Sequence, residues 1–223
     1  MKIIRYISLS LICIILTTFL LCSCNLGNKK TPPPALADIR EELILRIENS
    51  KQVNEIFWGD GLPVIPIGSK EAEEVGLYTE QNLLTTDDYG EWEYVDPSRT
   101  ALISIDAIKA LAETAYSDSF LKGVYTAQFD GLYDPVSATA LDPHYYESES
   151  WIWKNANSKE EFPSIAKTRT FDFDSMKLDE NKSSGERIYV TLNCYFEGET
   201  ESEKTTLAFD KQEDGWYLSS PTY

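Results

Sequence analysis

The side chains that nucleophilic catalysis requires are scarce in this chain of 223 residues. His144 is the only histidine, and Cys194 is the only cysteine beyond residue 24. Nucleophilic catalysis needs a nucleophile, a base and an orienting group within hydrogen-bond reach. Cys194 falls in the apolar phase of an alternating segment, where a thiol behaves as a small hydrophobic group. We therefore predict a core position for Cys194, a surface position for His144 and no assigned catalytic residue.

Carboxylates are abundant, with 37 Asp and Glu against 20 Lys and Arg. General acid–base chemistry by paired carboxylates therefore stays open from composition alone. No motif assigns a role to a particular acidic residue. The candidates for such chemistry are Asp172, Asp174, Tyr195 and His144.

From the sequence we expect neither a bound metal nor a cofactor. Beyond residue 24 the chain has one histidine and one cysteine, too few for the four ligands of a Cys/His zinc site. The chain contains neither a Walker A loop nor a dinucleotide-binding glycine motif. Asp130, Asp134 and Asp142 offer the oxygen ligands that calcium prefers, but their spacing differs from that of an EF-hand loop.

Aromatic residues carry the clearest signal for binding. Trp151 and Trp153 alternate along one predicted strand, Tyr145 lies on the facing arm, and Trp92 and Tyr94 repeat the alternation elsewhere. Tryptophan and tyrosine are enriched at binding hot spots because they are large, rigid and amphipathic. We predict these five residues as contacts for a ligand or partner. The alternative is that they line the core between sheet and helices.

The net charge of −17 constrains the class of partner. A domain this acidic repels phosphate backbones, so we expect no nucleic-acid binding. The same field attracts cationic partners.

The N-terminus reads as a targeting segment. Lys2 and Arg5 precede an apolar run of about 15 residues, shorter than the roughly 20 that span a bilayer. The run ends in Leu21–Cys24, which resembles the lipobox of bacterial lipoproteins, with small Ser23 directly before Cys24. An uncleaved anchor or an ordinary secretory signal are the alternatives.

The lipobox resemblance implies a signal peptide over residues 1–23 and lipidation, including palmitate, on Cys24. Such a protein is held at the extracytoplasmic face of the cell membrane, since two or three acyl chains anchor stably. Residues 24–34 then form a linker whose Pro32–Pro34 run is extended.

Hydrophobic periodicity predicts the elements that position these side chains. Apolar residues at three- and four-residue steps predict a helix over 35–58. Ser104 is a candidate N-cap for a second helix, and a third starts near Ser117 or Ser119 and ends at Gly131. Residues 62–103 show no clear pattern apart from the short alternating strand at Trp92.

Strands dominate the rest of the chain. Residues 144–146 and 151–153 predict a hairpin, and four antiparallel strands follow within 169–178, 187–197, 204–210 and 216–218. Phe171 and Phe173 are out of phase with Met176 and Leu178, which predicts a bulge near Asp174 and Ser175.

The order of elements in residues 104–223 resembles the NTF2-like (cystatin-like) α+β fold, in which helices pack on a curved antiparallel sheet. The resemblance implies a cone formed by the sheet around the helices. Residues 35–103 are then an N-terminal helix and an irregular extension or small second lobe.

Two functional hypotheses of different classes follow. The first is a membrane-anchored binding or regulatory module for a cationic cell-envelope protein or peptide. The second is an enzyme of the isomerase or dehydratase type, implied by the NTF2-like resemblance, that acts on a small organic molecule in the cone. A transporter's substrate-binding lipoprotein is disfavoured because the chain shows no alternation of parallel strands and helices.

Overall fold

The computed structural model of the chain describes residues 31–66, 69–74, 92–134, 139–148, 151–156, 169–196, 198–199 and 201–223. The predicted signal peptide, Cys24 and most of the predicted linker lie outside these residues. Residues 33–223 form one compact unit.

The described elements make an α+β protein with four α-helices and two four-stranded antiparallel sheets. In chain order they are α1 (Leu36–Trp58), β1 (Val64–Ile65), α2 (Lys70–Glu74), β2 (Trp92–Val95), α3 (Ile105–Glu113), α4 (Asp118–Tyr125), a π-helical turn (Thr126–Asp130), β3 (Leu132–Asp134), β4 (Thr139–Leu141), β5 (Tyr145–Ser148), β6 (Trp151–Asn155), β7 (Arg169–Leu178), β8 (Arg187–Phe196), β9 (Glu203–Lys211) and β10 (Trp216–Leu218). None of the four described helices is both long enough and apolar enough to cross a bilayer.

Strands β7 to β10 form a meander, which we call the core sheet, in the order β10-β9-β8-β7. Strand β8 alternates as its sequence predicts, so that every second side chain is buried. The buried side chains of β8 are Ile188, Val190, Leu192 and Cys194. The predicted core position of Cys194 is confirmed.

Helix α1 packs its apolar stripe into the same hydrophobic core as the core sheet. The stripe begins with Ile39, Leu43 and Ile47, at the predicted spacing, and Val53 and Phe57 extend it. Residues of the predicted N-terminal extension therefore share one core with the C-terminal strands.

The chain's C-terminus is joined to α1 by buried hydrogen bonds. Thr222 Oγ1 lies 2.7 Å from both Ser50 Oγ and Asn54 Nδ2, and Tyr116 Oη donates to Asn54 Oδ1 at 2.6 Å. Burial raises the pKa of Tyr116 to about 12, so its hydroxyl stays protonated as a donor. These bonds satisfy polar groups that would otherwise destabilise the core.

The predicted bulge in β7 is confirmed. The register with β8 shifts between Asp172 and Lys177. Ser175 Oγ holds the irregularity by accepting from the Asn193 N–H at 2.8 Å and donating to the Asp172 carbonyl at 2.6 Å. The shift brings Phe171 and Met176, which a regular strand would place on opposite faces, into one core.

The helix signals are also confirmed. Ser104 caps α3 by accepting from the Ala107 N–H at 3.1 Å, and Ser117 occupies the N-cap of α4. The π-helical turn that follows α4 ends at Gly131, whose φ of 77° suits glycine.

Strands β1, β2, β6 and β5 form the second sheet, in the order β1-β2-β6-β5. Its strands are only two to five residues long. One face sends Val95, Tyr145 and Ile152 into the main core. The other face carries most of the predicted contact residues.

Candidate functional site

Strand register collects five aromatic side chains on one face of the second sheet. Tyr94 on β2 and Tyr146 on β5 both pair with Trp153 on β6. Because side chains two residues apart point to the same face, Trp92 and Trp151 share this side. We call Trp92, Tyr94, Tyr146, Trp151 and Trp153 the aromatic face.

The rings of the aromatic face contact one another at steep angles. The centroids of Tyr94 and Trp151 lie 4.7 Å apart with their planes at 69°, and those of Tyr94 and Trp153 lie 5.7 Å apart at 60°. Trp92 and Tyr146 are 5.9 Å apart at 55°. Tilted contacts of this kind are favoured by the ring quadrupoles.

The aromatic face has a buried base and an exposed rim. Tyr94 is 3% exposed and packs with Ile65 and Ala72 in a small cluster separate from the main core. Burial, and secondarily the charge of Asp96, raise the pKa of Tyr94, so its hydroxyl stays neutral. Trp151 and Tyr146 are 41% and 44% exposed, which makes them the side chains that a partner reaches first.

The prediction of Tyr145 as a contact residue is wrong. Its side chain lies on the face of the second sheet opposite to Trp151 and Trp153. Its hydroxyl donates to the Ile56 carbonyl at 3.0 Å and accepts from the Leu62 N–H at 2.9 Å. The side chain is fully buried, and burial raises its pKa. Tyr146 takes the place predicted for Tyr145. Parity contained this signal, since a hairpin loop with an even number of residues places Tyr146, and not Tyr145, on the face of Trp151 and Trp153.

The predicted surface position of His144 is wrong. Its side chain is buried beside the inner face of the second sheet, stacked on Tyr145, and Nδ1 lies 2.8 Å from Gln128 Oε1. Burial, followed by the charge of Lys154, lowers the pKa of His144 to about 3. Sequence reasoning missed this position because a lone histidine between proline and tyrosine shows no periodicity.

His144 and Cys194 both lie in buried environments. Lys154 Nζ, near His144, donates to the Asp60 carbonyl, so the lysine fastens the end of α1 to the second sheet. Burial raises the pKa of the Cys194 thiol, whereas a nucleophilic cysteine requires a lowered one.

The acidic candidates lie along strand β7 rather than in a cleft. The Asp174 side chain is 99% exposed and pairs with Arg40 at 3.2 Å. Asp172 Oδ1 accepts from the Asp174 N–H at 3.2 Å, and Tyr195 is 37% exposed on β8. These three residues belong to the core sheet, whereas His144 is buried directly before β5 of the second sheet.

Metal ligands do not converge within the described part of the chain. There, no three His, Cys, Asp or Glu side chains lie close enough together to hold an ion. Among Asp130, Asp134 and Asp142, whose carboxylates are of the type that calcium prefers, the Asp134 side chain lies outside what the structure describes.

Large apolar side chains of the core sheet are part of the main core. Phe171, Leu192 and Trp216 are buried in the cluster that includes α1, and Phe173 packs against it. The inner face of the core sheet is thus occupied by the protein's own helix.

Four of the five predicted contact residues come together on the aromatic face, with Tyr146 in place of Tyr145. Comparisons with family models, curated proteins and solved structures found no match for this chain. The aromatic face is the candidate functional site on its geometry and chemistry.

Proposed function

We infer that this chain is a lipid-anchored lipoprotein of the extracytoplasmic membrane face that binds a cationic cell-envelope protein or peptide. The folded part acts as a binding or regulatory module, and its contact surface is the aromatic face.

The observation that carries this inference is the exposed rim formed by Trp151 and Tyr146. Each ring is supported from below or beside by another aromatic ring, so the rim is rigid before a partner arrives. Rigid aromatic side chains lose little conformational entropy on binding, which favours affinity. A cluster of exposed rings is also a costly surface to leave in water, and such patches mark interaction sites.

The charge of the chain supports a cationic partner. With a net charge of −17, the protein attracts basic surfaces over distances of about 8 Å at physiological salt. Electrostatic steering of this kind raises the association rate more than the final affinity. We expect added salt to slow association while the aromatic contacts hold the complex once formed.

The membrane anchor rests on the lipobox resemblance at Cys24. Metabolic labelling with a palmitate analogue tests it by comparing the wild type with Cys24→Ala. We expect label on the wild type only, with the variant released from the membrane fraction. Equal labelling of both proteins, or a full-length cytosolic product, contradicts the anchor.

The NTF2-like interpretation stays part of the proposal. The meander of β7 to β10, packed on a helix, supports it. The packing of Phe171, Leu192 and Trp216 with α1 favours a binding module over an enzyme that needs an open cone.

Capture from envelope extract tests the binding function. The full chain, immobilised in non-ionic detergent, is compared with Trp151→Ala and Tyr146→Ala. Tyr195→Ala is the matched control, because Tyr195 is a similarly exposed aromatic residue on the core sheet. We expect a partner, purified and rebound directly, to be lost from the first two variants and kept by the control. A partner retained equally by all four proteins contradicts the assignment of the aromatic face.

A further inference from the structure

Aromatic rings elsewhere in the protein already hold cations. The Arg46 guanidinium lies 3.8 Å from the centroid of Tyr217, and Lys211 Nζ lies 5.6 Å from that of Trp216. Lys109 Nζ similarly lies 5.4 Å from Tyr125. Among the described residues, none of these cation–π contacts involves a ring of the aromatic face. Trp151 and Tyr146 of the aromatic face are 41% and 44% exposed.

The angles between the rings suit a compact cation. Trp151 and Trp153 each contact Tyr94 at 60° or more, so neither indole is parallel to the Tyr94 ring. Aromatic cages that recognise cationic groups use several rings around the charge, each within about 6 Å. A flat ligand that stacks on parallel rings fits these tilted rings less well.

Acidic residues lie on the short helix that packs against the base of the aromatic face. Helix α2 packs on the cluster through Ala72, which is buried with Tyr94 and Trp153. The helix carries three glutamates and one lysine, and Lys70 pairs with Glu74 at 3.6 Å. Glu71 and Glu73 are exposed beside Ala72. Helix α2 therefore carries exposed carboxylates on the segment that packs against the base of the aromatic face.

We propose that the aromatic face binds lysine or arginine side chains of a basic peptide segment by cation–π contact. Trp151 and Tyr146 supply the accessible rings, and Glu71 and Glu73 supply the attracting charge. This inference rests on the proposed function and names the chemistry by which that surface selects its partner.

Titration with two synthetic peptides tests the proposal. The first is a short extended peptide rich in lysine and arginine. The second has the same sequence with acetyl-lysine and citrulline, which keep the length and remove the charge. The full chain in non-ionic detergent is titrated with each, followed by tryptophan fluorescence and calorimetry. We expect binding of the charged peptide only.

Variants distinguish the contribution of the aromatic rings to peptide affinity from that of the glutamate charges. Trp151→Ala is expected to weaken binding of the charged peptide by about 5- to 30-fold, the range of one partly desolvated cation–π contact. Trp151→Phe should retain part of the affinity. The double variant Glu71→Gln and Glu73→Gln should weaken binding at low salt and approach the wild type at high salt. Tyr195→Ala should bind as the wild type does.

Several results overturn the proposal. Equal binding of both peptides would show that positive charge is not required. Unchanged affinity in both Trp151→Ala and Tyr146→Ala would show that the aromatic rings do not bind the peptide. If neither peptide binds but the envelope partner is still lost from Trp151→Ala, the aromatic face binds by other chemistry and only this inference fails. If the envelope partner is also indifferent to Trp151→Ala, the proposed function fails with it.

Discussion

The two four-stranded sheets differ in where their hydrophobic side chains lie. In the core sheet, β7, β8 and β9 are nine or ten residues long and bury one face against α1. In the second sheet, the strands have two to five residues, and both faces carry aromatic side chains. The inner face packs into the main core, while the outer face forms the aromatic face.

This difference between the sheets indicates that the core sheet mainly stabilises the fold and that the second sheet presents the surface for recognition. Long strands with one buried face gain free energy from many aliphatic contacts, and substitutions there act on the whole fold. Short strands gain less, so the second sheet depends on specific attachments such as the Tyr145 hydroxyl and Lys154. Its outer rings are then available for a partner.

The core sheet should show the largest loss of stability on truncation. Leu207 is 1% exposed, and we expect Leu207→Ala to lower the free energy of unfolding by about 2–5 kcal/mol because it leaves a cavity. Thr206→Ala, one residue away on the exposed face, should change it by about 0.5 kcal/mol or less. Urea denaturation measures both. Similar losses for the pair contradict the assignment of one buried face.

Substitution of Gly61 should destabilise the contact between the end of α1 and the second sheet. A Cβ there would lie 2.8 Å from Tyr145 Oη and Lys154 Nζ, and φ is +77°. We expect Gly61→Ala to destabilise the protein by about 2 kcal/mol, from backbone strain and displaced polar partners.

Gly123→Ala is the matched control for Gly61→Ala. Gly123 lies in α4 with nothing within 4 Å of an added Cβ. Alanine should therefore stabilise the helix there by about 0.5–1 kcal/mol. Thermal unfolding measured side by side distinguishes the two. If Gly61→Ala also stabilises, the close contact of Gly61 with the second sheet is wrong.

Acidification should weaken the inner face of the second sheet through His144. Its pKa is lowered from 6.5 to about 3 in the folded state, so between these values the unfolded chain binds a proton that the folded chain does not. The free energy of unfolding therefore falls as pH falls, by at most about 1.4 kcal/mol per pH unit. Above pH 6.5 this contribution is fully present.

The variant His144→Gln should flatten this slope between pH 6.5 and roughly 5 in urea denaturation. Asp210→Asn is the control, because the Arg187 guanidinium lowers the pKa of Asp210 and its contribution is lost only below its ordinary value of 3.8. A slope that persists unchanged in His144→Gln assigns the pH dependence to other groups.

The outer face should show the smallest effect on stability. Trp151 is 41% exposed, and the centroid of its ring lies 4.7 Å from that of Tyr94. We expect Trp151→Ala to lower the free energy of unfolding by about 1 kcal/mol or less. The same variant should lose partner binding. A loss as large as that of Leu207→Ala would show that the aromatic face serves the fold rather than recognition.

Local patterns in the sequence determined much of this protein. The spacing of Ile39, Leu43 and Ile47 predicts α1, and Ser104 predicts the start of α3, because both depend on hydrogen bonds and periodicities within a few residues. The bulge near Ser175 followed from a change of phase along one strand. The aromatic character of the candidate site was also visible in Trp92, Trp151 and Trp153.

Tertiary structure alone decided how these pieces meet. The pairing of β2 with β6 joins Trp92 and Tyr94 to residues about 60 positions away, and no local pattern encodes that partner. The burial of His144 depends on Gln128 and the end of α1, which only the folded chain brings beside it. Helix α1 joined the core of the C-terminal sheet for the same reason. Contacts between distant segments depend on the shapes of both surfaces, whereas helices and strands are specified by near neighbours.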